Sequence, residues 1–176
     1  MRKKSIFFLA AFLALVLIVA LLILRSTKNA PRFSVRENFE EHEMLFPVAR
    51  VIDGDTIVVL IDGKTERIRF IGIDTPETVD DHKKIQCYGP ESSERVKELL
   101  SGKSVALETK PNEDRDDYGR LLRYVILDGR DIGATMLEEG YARSLCFAFP
   151  HPKCSEYDNL EREARELKRG RWGACR

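Results

Sequence analysis

An α+β domain, a small barrel of five strands carrying three helices, is predicted for this sequence by three observations. The stretch "FPVARVIDGDTIVVLIDGKTERIRFIGID" holds three β-rich runs separated by Asp53-Gly54-Asp55 and Asp62-Gly63-Lys64, and Asp-Gly pairs between alternating apolar runs are strong hairpin signals. Two more strand-like runs, "SVALETK" and "LLRYVIL", come after an intervening helical pattern. Ahead of them all, the nineteen positions from Ile6 to Leu24 contain no polar residue.

That N-terminal run is long enough, at 1.5 Å of rise per residue, to cross the ~30 Å hydrocarbon layer of a bilayer as a helix. Arg2, Lys3 and Lys4 precede it, which also suits the n-region of a secretory signal. The apolar run exceeds the usual h-region, and "LILRSTKNAP" offers no small-x-small cleavage site behind it, which favours an uncleaved anchor over a signal peptide. In either case the basic flank belongs on the cytoplasmic side, although Arg25 and Lys28 weaken the bias. The expected organisation is therefore a transmembrane anchor over residues 1–25, a polar linker over 26–44 and an extracytoplasmic domain over 45–176. The expected location is the cell membrane, single-pass, or the secreted fraction if the segment is cleaved.

Within the domain, the three first strands form an antiparallel meander. Pro90, an acid at Glu91 and the apolar face Val96, Leu99 and Leu100 then mark a helix that stops near Gly102. Two strands follow, with the charged loop "PNEDRDDYG" between them. Five strands with a helix between the third and fourth match the order of an OB-fold Greek-key barrel. A short helix over 131–139 and a longer one in "SEYDNLEREARELKRG" complete the chain, the latter with Ser155 as expected N-cap and Gly170 as stop.

Charge limits the mode of binding. The chain balances 29 basic against 29 acidic residues. Setting aside residues 1–44, with seven Lys/Arg and four Glu, leaves 22 basic against 25 acidic residues in the domain, a net of −3. A protein gripping nucleic acid mainly by counterion release would carry a basic excess, so contacts to a polyanion must be local. The four cysteines allow three pairings. Cys146 and Cys154 bracket "FAFPHPK" and are the favoured disulfide, leaving Cys87 and Cys175 to each other or free. A zinc site helped by His151 has the wrong spacing for a Cys-x-x-Cys knuckle.

The acids are the candidates for chemistry. Asp53 and Asp55 sit at the first turn and Asp74 at the end of the third strand, so a meander can bring them to one rim. Oxygen ligands without nitrogen or sulfur suit a hard cation, Ca²⁺ or Mg²⁺. Each motif also has a plain structural reading, because Asp-Gly forms turns and Asp-Thr-Pro ends strands. Glu77, held by Pro76, is placed to take a proton from water as general base, or is a solvated surface acid. Arg69 interrupts an apolar strand on the face opposite Ile68 and Phe70, so its charge must be paired or functional. With Arg120 it would clamp a phosphate; alternatively both arginines neutralise neighbouring acids.

"VIDGDTI", "RIRFIGIDTPET", "CYGPESS", "DDYGRLLRYV" and "EREARELKRGRWG", in this order and at these spacings, resemble the staphylococcal-nuclease-like (thermonuclease) family from Pro47 to Trp172. The resemblance implies an OB-fold nuclease that hydrolyses phosphodiester bonds of DNA and RNA with Ca²⁺, leaving 3′-phosphates. It implies Asp55, Asp74 and the Thr75 carbonyl as cation ligands, Asp53 acting through water, Glu77 as base, and Arg69 and Arg120 on the phosphate. Tyr118 would contact a substrate phosphate or base. Beyond Arg143 the match loosens, and Phe147 and Phe149 either stack on a base or pack under their loop. The expected partners are nucleic acid and, through the N-terminal helix, the membrane, and the expected state is a monomer. The alternative is a non-catalytic OB-fold module that binds nucleic acid or protein.

Overall fold

The computed structural model describes residues 44–78, 85–111 and 113–175. The expected anchor and the expected linker up to residue 43 lie outside the described residues. Among the described residues no helix is long and apolar enough to cross a membrane.

Strand β1 (Phe46–Val51) runs antiparallel to β2 (Thr56–Ile61), with an irregularity between Val48 and Arg50 that bends the strand. The β2 strand pairs with β3 (Lys64–Phe70) in continuous register from Thr56↔Arg69 to Ile61↔Lys64. Asp62 and Gly63 both take positive φ, 49° and 75°. These are the values a two-residue turn needs to match the strand twist. The same Asp-Gly chemistry at Asp128-Gly129 joins β6 (Leu121–Leu127) to the two-residue β7 (Arg130–Asp131). The Asp53-Gly54-Asp55 turn differs: four residues separate β1 from β2, and Gly54 does not take positive φ.

Closure comes from two long-range pairings. Strand β5 (Ser104–Glu108) lies antiparallel to both β1 and β6, and β6 pairs in parallel with β3 through Ile68↔Leu121 and Phe70↔Arg123. The five long strands thus close into a barrel as the sequence predicts. Inward residues Ile57, Val59, Ile68, Phe70, Val105 and Val125 fill it. Each buried aliphatic side chain contributes roughly 1.5–3 kcal/mol of transfer free energy.

Helix α1 (Gly89–Leu100) caps the barrel with Val96 and Leu100, both fully buried. It begins where Pro90 makes its missing N–H harmless. Helix α2 (Ile132–Glu138) starts at Asp131, whose carboxylate accepts the Ala134 N–H at 3.2 Å. Helix α3 (Cys154–Glu166) packs Tyr157 and Ala164 inward. It begins two residues earlier than Ser155 predicts, with Lys153 as N-cap and no side-chain cap. The chain-terminal turn α4 (Arg171–Ala174) starts at Gly170, so that glycine opens a new helix as well as following an old one. The short strand β4 (Ile73–Asp74) pairs with β8 (Arg143–Ser144) outside the barrel sheet.

Both disulfides are formed, Cys146–Cys154 and Cys87–Cys175. The second ties the segment before α1 to the end of the chain, 88 residues away.

Candidate active site

Asp74, expected at the end of the third strand, lies instead in the separate strand β4, because β3 ends at Phe70 and the chain turns at Gly72; Arg69 links the two strands. Its Nη1 donates to the carbonyls of Phe70 and Ile73 at 3.1 and 2.8 Å. Its Nη2 lies 3.3 Å from Asp55 Oδ2 and 3.4 Å from Asp74 Oδ1. The side chains of Arg69 and Asp55 are only 12% and 9% exposed, so this is a buried pair in which each charge needs the other. The out-of-pattern charge predicted to be paired or functional is indeed paired, with Asp55 and Asp74.

Asp55 is the centre of the group. Its Oδ2 accepts the Thr75 N–H at 2.9 Å and the Thr75 hydroxyl at 3.0 Å, and its Oδ1 accepts the Thr56 hydroxyl at 3.0 Å. Asp53 Oδ1 accepts the Asp55 N–H at 3.0 Å. Burial first, then the charge of Asp55, pushes the Asp53 carboxyl up to about 6, because a carboxylate removed from water beside a second acid ionises less readily. Gly54 makes the approach possible. A Cβ there would lie 2.8 Å from the Thr75 side chain, well inside van der Waals contact.

Asp74 lies at the more open edge. Besides Arg69, it meets Arg143 across the β4–β8 pair, with Arg143 Nε 2.9 Å and Nη2 2.8 Å from Asp74 Oδ2. Sequence reasoning missed Arg143, since nothing in "GYARS" announces a partner 69 positions upstream. Asp55 and Asp74 share Arg69, and Asp53 touches the pair only through the Asp55 N–H; two carboxylates with Thr75 beside them are oxygen donors of the kind a hard divalent cation takes.

Glu77 is half-buried just beyond. Its N–H donates to Gln86 Oε1 at 3.3 Å and its carbonyl accepts the Gln86 N–H at 3.1 Å. Gly89, at the start of α1, lies so close that a Cβ there would sit 2.7 Å from the Glu77 carbonyl. Helix α1 therefore fixes the backbone that carries Glu77.

On the other side of Arg69 opens a cavity of about 250 Å³ whose lining includes Arg69, Tyr118, Arg120, Leu122, Leu145 and Phe149. Arg120 faces Asp116, not the Asp55–Asp74 group: its Nε lies 2.6 Å from Asp116 Oδ2. Asp116 Oδ1 also accepts the N–H groups of Tyr118 and Arg120 at 3.0 and 2.9 Å. Burial raises the Asp116 carboxyl, but the hydrogen bonds from Arg120 outweigh it and hold the group below the usual carboxylate range. Tyr118 is largely exposed, and the Arg120 guanidinium lies 5.4 Å from its ring centroid. Asp116 was also missed, although its signal is present: an aspartate two and four residues before the N–H groups it caps is a common turn pattern.

The two phenylalanines part company. Phe149 lines the cavity, whereas Phe147 is fully exposed and does not. The loop that carries them is held by the Cys146–Cys154 bridge and by His151, whose Nδ1 lies 2.9 Å from the Tyr124 hydroxyl and whose Nε2 lies 3.1 Å from Cys146 Sγ. The His151 ring also fills the space against Gly72, where φ is +76° and a Cβ would collide with it.

A family model described as "Staphylococcal nuclease homologue" matches residues 67–174. A thermonuclease of Staphylococcus hyicus is 38% identical over 163 residues, covering 90% of this chain and 95% of that protein. Endonuclease YncB of Bacillus subtilis (strain 168) is 41% identical over 124 residues, covering 70% of this chain and 59% of that protein. A thermonuclease of Staphylococcus intermedius is 45% identical over 97 residues, covering 55% of this chain and 57% of that protein. The match thus spans somewhat more than half of the Bacillus relative and nearly all of the S. hyicus one. The chain belongs to the staphylococcal nuclease family.

Proposed function

We propose that this protein is a Ca²⁺-dependent endonuclease that hydrolyses DNA or RNA to 3′-phosphate products, membrane-anchored with its catalytic domain outside the cytoplasm. The observation that carries this reading is Arg69, which joins the Asp55–Asp74 carboxylates on one side to the Arg120 and Tyr118 cavity on the other. A phosphate at that junction meets acids suited to a cation and two guanidiniums. When bound between Asp55 and Asp74, with the Thr75 carbonyl as a further ligand and Asp53 acting through water, the cation supplies positive charge for the phosphate and the attacking water.

The chain's own residues divide the rest. Glu77 takes the proton as water attacks phosphorus, and the bond from phosphorus to the 5′ oxygen breaks; that oxygen takes a proton from solvent, leaving a 3′-phosphate and a 5′-hydroxyl. Arg69 and Arg120 donate to oxygens whose charge grows in the transition state, which is where a preorganised donor contributes most. To do so Arg120 must share its guanidinium between Asp116 and the substrate, and Asp116 holds it aimed until then. Tyr118 and Phe149 offer faces for a base, and Phe147 would engage only a nucleotide that extends past the cavity. The apolar segment over residues 6–24 supports the anchored, extracytoplasmic placement, and the acidic balance of the domain supports modest, local contacts to nucleic acid.

The test is cleavage of single-stranded DNA and RNA by the full chain, with Ca²⁺, with Mg²⁺ and with chelator, alongside Glu77→Gln. Cleavage should require Ca²⁺ and fall by about 10²–10⁴-fold in Glu77→Gln, with unchanged melting temperature. Binding without cleavage under every condition would mark a non-catalytic module instead, and cleavage indifferent to chelator would sink the mechanism. Sequencing the N-terminus of the mature protein decides between anchor and removed signal.

A further inference from the structure

Arg143 and Arg69 both contact Asp74, but they are unlike in every other respect. Arg69 is buried and locked by two carbonyls. Arg143 has a side chain that is 53% exposed, and both of its donors to Asp74 end on one oxygen, Oδ2. The backbone of Asp74 does not need that contact, because the β4–β8 pairing through Ile73↔Ser144 and Asp74↔Arg143 already fixes it. A second cation stands nearby: burial first, then the charge of Arg143, lowers the affinity of the Arg171 guanidinium for its proton. Arg143 is thus an exposed positive charge, repelled by a neighbour, resting on a carboxylate placed by other means.

Resting on the functional reading above, we propose that Arg143 is a built-in counter-charge that competes with the divalent cation for Asp74 and so sets the calcium concentration at which the site fills. A guanidinium at hydrogen-bond distance from a ligand oxygen opposes a second positive charge on that oxygen. Because an exposed ion pair is weakly held, the cation can displace Arg143 once it is abundant. The site would then respond to calcium on the order of 10⁻⁴–10⁻³ M, the range of extracellular modules. Arg143 is a positioning residue here, acting on the cation through Asp74.

Calcium titration of the full chain in detergent micelles, by calorimetry and by calcium-induced shift of melting temperature, separates this role from that of a structural clip. Arg143→Gln and Arg143→Ala should each bind calcium about three- to tenfold more tightly than the wild type. Arg143→Lys, which keeps the charge, should stay within about twofold of the wild type, and Asp74→Asn should lose most of the binding. A clip predicts the opposite sign, so equal or weaker binding in both neutral variants, with the wild type binding normally, overturns the proposal. Folded wild-type protein that binds no calcium overturns the functional reading itself, and this proposal with it.

Discussion

Arg69 has an apolar strand on either side of it, and its chemistry follows from what surrounds the guanidinium. Two carbonyls and two carboxylates meet it within 3.4 Å, so the strand end, the first turn and β4 share one charge. Removing one member of a buried ion pair leaves the other uncompensated, at a cost of about 3–5 kcal/mol. Arg69→Met is therefore expected to lower stability to urea by roughly that amount, and more than Arg120→Met, whose ion pair is nearer solvent. Equilibrium urea unfolding of the two variants checks the order. Sequence alone could say that Arg69 needed a partner, since period-two alternation put it opposite Ile68 and Phe70. It could not say which acids, because Asp55 and Asp74 lie 14 and 5 positions away in opposite directions along the chain.

At the level of elements, the site depends on a turn and a segment that touch. Gly54 brings the first turn against Thr75, and a methyl group there would lie 2.8 Å from the threonine side chain. Gly54→Ala should destabilise the fold by about 1–3 kcal/mol and, if the proposed calcium site is formed, weaken stabilisation by calcium, while Gly129→Ala, with open space around it, should leave any such stabilisation unchanged. Melting curves with and without calcium measure both. The Cys146–Cys154 loop makes a second prediction. Burial, and next the charge of Lys110, lowers the pKa of His151 from its ordinary 6.5, with Lys153 adding to and Asp131 and Asp158 opposing the effect. The unfolded chain therefore takes up the proton first as pH falls. The stability from neutral His151 is complete above about pH 6.5 and is lost as pH drops toward the lower folded value. Between about pH 7.5 and about pH 5.5, the fall in melting temperature should be smaller in His151→Gln than in the wild type.

Across the whole molecule, the Cys87–Cys175 bridge closes the longest covalent loop, 88 residues. It joins the segment before α1 to residue 175, and that segment holds the backbone of Glu77 through Gln86, with Gly89 at the start of α1 close against it. Loss of a bridge of this span is expected to cost about 4 kcal/mol. Cys87→Ser/Cys175→Ser should unfold at a clearly lower denaturant midpoint, with a larger loss of activity than of barrel structure in dilute denaturant. Circular dichroism and cleavage rate, followed together, test that separation.

The barrel was legible because its signals are local. Asp-Gly turns, alternation and a proline-led helix each act within a few residues, and they specified five strands and a helix in the right order. The acids, Arg69 and Glu77 were legible as residue types whose cost of burial demands a reason. What only the tertiary structure decided is which distant residues meet: that Phe149 joins the cavity while Phe147 does not, and that Arg143 rests on Asp74. These outcomes depend on the β3–β6 and β4–β8 pairings, which join positions about fifty to seventy residues apart. Pairing over such distances is set by closure of the whole barrel and packing of the helices on it, not by the preferences of the residues that end up in contact.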